Sequence, residues 1–440
     1  MTSITLSFEV HQPIRLRNAP LKNSNNLFER YFNDDANRYF FNRISDKCYI
    51  KTNNIILDLI DSFKKEKKKF KVSFSLSGTF LESAERYRKD VLESFRELAK
   101  KKEVEILCQT YYHSIASLHY DYEEFINQIE EHRETVHSLL NRKPKIFENT
   151  EFIFNNKIAK IAEDLKFNAI FTEGVERILG WRSPHYIYVR KYCFPNDPLP
   201  KKRIKILLRN YKLSDDIAFR FNARSWDQWP LTADKYASWL AATPGDVINI
   251  FIDYETFGEH FWEDSGIFWF LKALPYYVLK YDHLEFSLPS EVIKKYNPVG
   301  EFDVFELASI SWADSDKDVS AWLGNEMQRR SFEEVMQLRK EVIETEDEEL
   351  IKTWKLFTQS DIYYYMCKKS QADEDVHKYF NHFGSKSAEE AFISFLNILS
   401  DFKVQLALRK IRKNLKEVLI GKNIITELEK ELDIKIYEKV

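Results

Sequence analysis

Over its first 285 or so residues the chain alternates short β-rich runs with amphipathic helical stretches, and no other feature narrows its possible folds as much. The β-rich runs are Ile4–Val10, Lys71–Leu76, Val104–Leu107, Lys145–Phe147, Ala169–Phe171, Lys205–Leu208 and Val247–Ile252. Between them come helical patterns such as Asn54–Lys68, with Ile55, Ile56, Leu59, Ile60 and Phe63 on one face, and Glu123–Leu140, with Ile126, Ile129, Val136, Leu139 and Leu140. Parallel strands need long crossovers, usually helical, so this alternation predicts right-handed βαβ units and a parallel sheet covered by helices. Seven strands in that length predict a closed or nearly closed (β/α) barrel, with an open doubly wound sheet as the alternative.

The remainder is built differently. All 12 prolines fall between Pro13 and Pro298, and the next 142 residues contain none. From Ala388 to Leu419 apolar residues recur mostly at steps of three and four, so residues from about 315 to 432 predict a helical bundle. The connection from Gln12 to Tyr49 is long, aromatic and polar, the kind that is usually functional or partly helical.

Composition removes several classes of function. Only 10 of 440 residues are glycine, which argues against a Gly-rich phosphate cradle. The net charge of -3 supplies no field for polyanions, so neither nucleic acid nor an anionic membrane is expected as a partner. Cys48, Cys108, Cys193 and Cys367 lie far apart with no C-x-x-C pair and read as reduced, mostly buried thiols. No signal-like segment opens the sequence and no run approaches 18 uninterrupted apolar residues, so a cytoplasmic protein is expected.

Chemistry-bearing residues gather just after the strands, where βα loops of a parallel barrel assemble an active site. His11 ends the first strand, Tyr111, Tyr112 and His113 follow the third, Glu148 and Glu151 close the fourth, and Asp253 and Glu255 close the seventh. Glu151 and Asp253 suit the two-carboxyl chemistry of glycosidic-bond cleavage, which needs one group protonated and one ionised. Trp and Tyr faces pack against sugar rings, and Trp181, Trp226, Trp229, Trp262, Trp312 and Trp322 are the candidates. Metal ligation lacks its usual signatures: there is no H-x-x-x-H or H-E-x-x-H, and Asp314, Asp316 and Asp318 open a calcium-like loop that has Val319 where glycine belongs and Asn325 where glutamate belongs. No metal or cofactor is expected.

The ordered strings resemble glycoside hydrolase family 57, the archaeal and bacterial α-amylase and 4-α-glucanotransferase group. FEVHQP at Phe8–Pro13, TYYHS at Thr110–Ser114, NTE at Asn149–Glu151, DYETFGEH at Asp253–His260 and WADSDKDVSAWLGN at Trp312–Asn325 resemble its five motifs, and SDIYYYM and HKYFNHF in the tail look family-like. The resemblance implies an α/β fold, a distorted (β/α)7 barrel over residues 1–288 followed by a C-terminal α-helical domain, 289–440, that reaches over the site. It also implies a retaining mechanism on α-glucan oligosaccharides or polysaccharides, with Glu151 matching the nucleophile and Asp253 the general acid/base. His11, His113, His260, Trp312 and Asp314 match sugar-lining positions, and Glu255 and Trp322 join them as substrate-binding candidates. One departure stands out: Cys108-Gln109 opens the second motif where relatives tend to carry Gly-Glu, which bears on the donor-subsite sugar. A metal-dependent carbohydrate deacetylase on a similar barrel and a non-catalytic glucan-binding homologue are the alternatives. Hydrolysis and transfer to another sugar share one covalent intermediate, so the motifs leave both open.

Overall fold

The computed structural model describes residues 1–191, 203–369 and 387–421. Ten strands form one sheet: β1 (Thr2–Val10), β2 (Val72–Leu76), β3 (Val104–Ile106), β4 (Ile146–Glu148), β5 (Ala169–Glu173), β6 (Tyr188–Arg190), β7 (Lys205–Arg209), β8 (Val247–Asp253), β9 (Leu284–Phe286) and β10 (Gly300–Phe302). Seven of them close a parallel ring in the order β1, β2, β3, β4, β5, β7, β8 and back to β1. The expected barrel is therefore present, and the open-sheet alternative is not. Its closure rests on two narrow seams. Between β3 and β4 the only strand pairing is the bridge Cys108↔Phe147, where the Cys108 amide donates to the Ile146 carbonyl at 2.9 Å and its carbonyl accepts from the Glu148 amide at 2.8 Å. Between β7 and β8 a single pair, Arg209↔Asn249, holds the register, because β7 is also paired antiparallel to β6. That divided pairing leaves the β7–β8 seam one pair wide.

β1 shows how the sequence encodes the ring. Its even residues, Ile4, Leu6, Phe8 and Val10, are buried against the surrounding helices, whereas Ser3, Thr5, Ser7 and Glu9 are buried on the other face. Side chains alternate across a strand, so the inner face of this part of the barrel is polar. Its polar groups are satisfied across the ring: Ser7 meets Ser73 at 2.6 Å and Thr5 donates to Asn249 at 2.8 Å. The opposite wall is apolar, with Leu107, Ile146, Phe171, Leu207 and Phe251 packed together.

The strand expectations shift by one or two residues, and β4 runs Ile146–Glu148 because its partners on β5 are Ala169–Phe171. The helix expected at Asn54–Lys68 spans Ile50–Ser62, continuing directly from a widened π-helical turn at Ser45–Tyr49 and ending before a lysine-rich stretch. Helices Leu27–Tyr31 and Asp34–Ile44 fill much of the long first connection. β10 lies beyond residue 288, so the sheet takes one strand from the segment that leads into the helical region. The helical expectations for 370–386 and 422–432, including HKYFNHF, lie outside the described residues, as does Cys193.

From Pro289 onward the described elements are helical apart from β10, and the longest is Ala388–Gly421. By length and composition Ala388–Leu415 could cross a membrane. Ala391, Phe395, Ile398, Leu399, Phe402 and Leu406 bury one of its faces, and ion pairs from Lys403 to Glu334 and from Arg409 to Asp347 and Glu349 dock it on neighbouring helices. The barrel and the helices meet around Phe357, which is fully buried among Tyr31, Phe32, Phe395 and Phe402, with ring centroids 5.2–5.9 Å away. Arg30 clamps the same junction by a two-pronged bond to Asp401. Truncating a buried aromatic costs about 3–5 kcal/mol. Phe357→Ala is therefore expected to lower unfolding free energy by about that amount, measured by chemical denaturation, and an effect below about 1 kcal/mol would show that this junction adds little.

Candidate active site

Each strand of the ring delivers a side chain to its carboxyl end: Glu9 and His11 from β1, Ser75 and Ser77 from β2, Gln109 and His113 after β3, Glu148 and Glu151 from β4, Glu173 from β5, Arg209 from β7, and Asp253 and Glu255 from β8. This is the face on which barrel enzymes build their sites.

Glu151 sits in a short turn after β4 with left-handed backbone angles, φ 59° and ψ 20°. His113 (φ 48°) and Asp314 (φ 55°) share that conformation. For a residue with a Cβ such a backbone is held only where the surroundings over-determine it, at a cost of order 1–3 kcal/mol. At Glu151 the surroundings do so through its carboxylate. Trp312 Nε1 donates to Oε2 at 2.7 Å, Ser360 Oγ donates to Oε1 at 2.8 Å, and His113 Nε2 lies 3.4 Å from Oε1. Trp312 is itself fixed, its ring lying flat on Phe152 (centroids 4.9 Å apart, planes 9° apart) and its amide bonded to the Glu151 carbonyl.

Asp253 is in the opposite electrostatic situation. It keeps a partly exposed edge, yet it lies deep among protein atoms, and its carboxyl has no hydrogen-bond donor among the described residues. Burial and the negative charge of Glu151 push its pKa up to about 7, against the partial relief of Arg209 and His113. Beneath it Glu255 is raised to about 8 by burial, despite a 2.5 Å hydrogen bond from Tyr49. The turn that carries these residues passes close to the π-helical turn at Ser45–Tyr49 at Gly258 (φ 108°), where a Cβ would lie 2.1 Å from the Lys47 carbonyl oxygen.

The two histidines stack face to face with centroids 3.9 Å apart, so they cannot both be cations without strong repulsion. Burial and the neighbouring His113 push His11 down to about 4. Its neutral ring can then donate from Nε2 to Asp361 at 3.1 Å and accept at Nδ1 from Ser77 at 2.9 Å. Burial also disfavours charge on His113, but the bond to Glu151 and the charges of Glu9, Glu151 and Asp361 outweigh it and raise its pKa to about 9.

Thus the structure brings Glu151, Asp253, His11, His113, Glu255 and Trp312 together. Asp314 lies on the adjoining loop with its side chain almost wholly buried, 3.3 Å from Lys369 Nζ. His260 follows the β8 turn, its amide bonded to the Glu255 carbonyl at 2.9 Å, and burial lowers its pKa to about 4. Trp322 is the correction: it is 1% exposed and packs in the helical core near Tyr364, because the short helix Ser320–Leu323 turns that face inward, so it offers no surface to a sugar. Trp181 and Trp262 stand at the surface, 95% and 61% exposed, and Trp226 packs edge-on against Trp239.

Residues that the motif reading did not name as catalytic or sugar-lining complete the site. Arg209 Nη1 bonds Glu173 at 2.9 Å, Nη2 bonds Asp215 at 2.6 Å, and the guanidinium lies 5.5 Å from the centre of the Trp312 ring. Gln109, Glu9, Ser360 and Asp361 also reach the histidines or Glu151. The inward alternation of β1 points to Glu9, and SDIYYYM contains Ser360 and Asp361. Nothing local announces Arg209. Among the described residues no group of three or more His, Cys, Asp and Glu is placed to hold a metal ion.

The model for glycosyl hydrolase family 57 matches residues 5–305. A Methanocaldococcus jannaschii protein named "Putative alpha-amylase" is 50% identical over 408 residues, covering 91% of this chain and 84% of its own. A family 57 branching enzyme from Thermococcus kodakaraensis superposes with a TM-score of 0.63 at 14% identity, over 98% of this chain and 94% of that one. The 4-alpha-glucanotransferase from Thermococcus litoralis gives 0.60 at 16% identity; 90% of this chain aligns with 60% of that longer chain.

The raised pKa of Asp253 makes a stability prediction of definite sign. Its proton is held in the folded state up to pH about 7 but released in the unfolded chain near 3.8, so stability from this group is full below 3.8 and lost as pH rises to 7. Asp253→Asn cannot ionise, so its Tm advantage over the parent should grow from pH 4 to pH 7.5 and then level off. An advantage independent of pH, read by thermal melts, would contradict the buried placement of this carboxyl.

Proposed function

We propose, starting from the fact that the chain belongs to glycosyl hydrolase family 57, that it is a retaining α-glycoside hydrolase or transglycosylase acting on α-glucans, with Glu151 as nucleophile and Asp253 as general acid/base. The observation that carries the assignment is the contrast between the two carboxyls. Glu151 accepts hydrogen bonds from Trp312 and Ser360 and faces a cationic His113, while Asp253 lacks a donor and is raised to about 7. Environments that separate two carboxyls in this way divide them into a base-like and an acid-like partner.

In the first step a Glu151 oxygen bonds to the anomeric carbon while the glycosidic C–O bond breaks, and the Asp253 proton passes to the leaving oxygen. In the second step the ionised Asp253 takes a proton from water or from a sugar hydroxyl, which attacks the anomeric carbon and releases Glu151. Two inversions return the α-configuration. His11 and Trp312 line the same space, and Asp314 stands on the loop beside it, as groups that would meet the sugar. The names of the related proteins include both amylase and glucanotransferase, which supports keeping water and sugar as candidate acceptors.

Incubation with maltoheptaose separates the acceptors, since a ladder of longer products means transfer and shorter products alone mean hydrolysis. NMR of the fresh product should show the α-anomer; the β-anomer would overturn the mechanism. The acid role of Asp253 also fixes an alkaline limb in kcat/KM near pH 7, with activity falling as the proton is lost. Glu151→Ala and Asp253→Ala should each lose several orders of magnitude on a natural glucan. Only Asp253→Ala should retain the first step on a donor with a good leaving group and give a β-glycosyl azide with added azide. Loss of that step in both variants alike would refute the division of roles.

A further inference from the structure

Below the two stacked histidines lies a second pair of carboxyls that the proposed reaction does not use. Glu9 is 3% exposed and Glu148 0% exposed, and they face each other across the polar wall of the barrel. Glu9 Oε1 accepts from Gln109 Nε2 at 2.8 Å, and Glu148 Oε2 accepts from Ser75 Oγ at 2.9 Å. The other two oxygens, Glu9 Oε2 and Glu148 Oε1, are buried and meet no N–H or O–H of another described residue. The two carboxyls are near enough to act on each other directly, and two carboxyl groups can hydrogen bond only if one of them carries the proton. Two bare negative charges side by side in a dry interior would repel strongly.

From this pair a continuous path leads upward. Ser75 donates to Glu148 and accepts from Gln109 Nε2 at 2.9 Å, while Gln109 Oε1 faces His113 Nδ1 at 3.1 Å. Glu9 Oε1 itself lies 3.5 Å from the same His113 nitrogen, and His113 Nε2 points to Glu151. The Gln109 amide is thereby oriented: its nitrogen serves the acids and its oxygen serves the histidine.

We propose that Glu9 and Glu148 act as one proton-sharing carboxyl pair whose single negative charge, presented through Glu9, keeps His113 cationic and aimed at Glu151. Glu9 is on this account a positioning residue: it touches neither substrate nor reacting atoms but sets the charge and tautomer of the group that holds the nucleophile. The inference rests on the reading of Glu151 as nucleophile for its catalytic meaning. The groups facing His113 are Glu9 from β1, His11 beyond it, Glu151 from the β4 turn, Asp253 from β8 and Asp361 from the helical region, with Glu148 one step behind Glu9. Burial raises both members of the pair, the charge of Glu148 raises Glu9 further and that of Glu151 raises Glu148, so that each holds a proton more tightly than an ordinary carboxyl.

The two members then differ in what their loss does. In Glu9→Gln the remaining charge retreats to Glu148, away from His113, so the His113 pKa falls from about 9 by about one unit or more, the usual effect of an opposite charge within contact range. In Glu148→Gln the proton is no longer shared, Glu9 ionises fully, and the His113 pKa stays level or rises. Carbon-13 NMR of histidine-labelled full-length protein reads this without substrate, with the His113 signal identified by its loss in His113→Gln. The expected result is a downward shift in Glu9→Gln alone, together with an alkaline limb of kcat/KM that steepens towards loss of two protons. A His113 titration unmoved in Glu9→Gln, or lowered equally in both variants, overturns the proposal. If Glu9→Gln does not fold, a lowered His113 pKa in Glu148→Gln overturns it alone. A parent enzyme that turned over no α-glucan would instead sink the proposed function and leave the titration result intact.

Discussion

A carboxylate largely withdrawn from water must be met by hydrogen-bond donors, and at Glu151 every one of them comes from elsewhere in the chain: His113 after β3, Trp312 after the barrel and Ser360 from the helical region. That requirement ties the architecture together. The segment 358–361 reaches over the ring end, with the Ser360 amide bonded to the His113 carbonyl at 2.9 Å and Gln359 accepting from the Ile14 amide at 2.8 Å. The aromatic junction around Phe357 anchors that segment at its base. Helical residues are thus part of the wall that holds the Glu151 side chain in place.

Negative charge is the second constraint. Glu9, Glu148, Glu151, Glu173, Asp253, Glu255 and Asp361 crowd one end of the barrel, and the cations among them are few. Arg209 neutralises Glu173 and Asp215, Lys317 approaches Glu173 at 3.6 Å, and His113 serves Glu151 and Glu9. Where the nearby cations do not suffice, burial and neighbouring negative charge keep protons on the carboxyls, as at Asp253 and Glu255. A site that must present one acid and one anion near neutrality can arise from such a deficit without any special acid.

Much of the barrel was legible because parallel strands leave a local signature. All seven ring strands were readable, including three-residue β3 and β4, since a barrel strand is an apolar or alternating run flanked by helices. The catalytic candidates were readable because they follow strands immediately. Trp322 misled because a tryptophan in a polar motif looks available to a sugar, whereas only the turn of Ser320–Leu323 decides which way it faces. Arg209, Ser360 and Asp361 were hidden for another reason: their importance lies in contacts across tens to hundreds of residues, and no local periodicity records such a meeting. The Cys108-Gln109 departure gains a physical content from the structure. Cys108 closes the ring with its backbone and turns its thiol to His132 at 3.3 Å, and Gln109 bridges the buried acids to His113.

The late contribution of Ser360 and Asp361 also gives the molecule a timetable. At synthesis rates of about 5–20 residues per second, the 108 positions separating Asp253 from Asp361 correspond to roughly 5–20 s of translation. During that interval a nascent barrel has its carboxyls but lacks the hydroxyl that holds one and the carboxylate that orients His11. Chemical competence therefore arrives only near the end of the chain's manufacture, and an interrupted transcript or a cleaved tail yields a barrel that has the acids without the means to keep them in their working states.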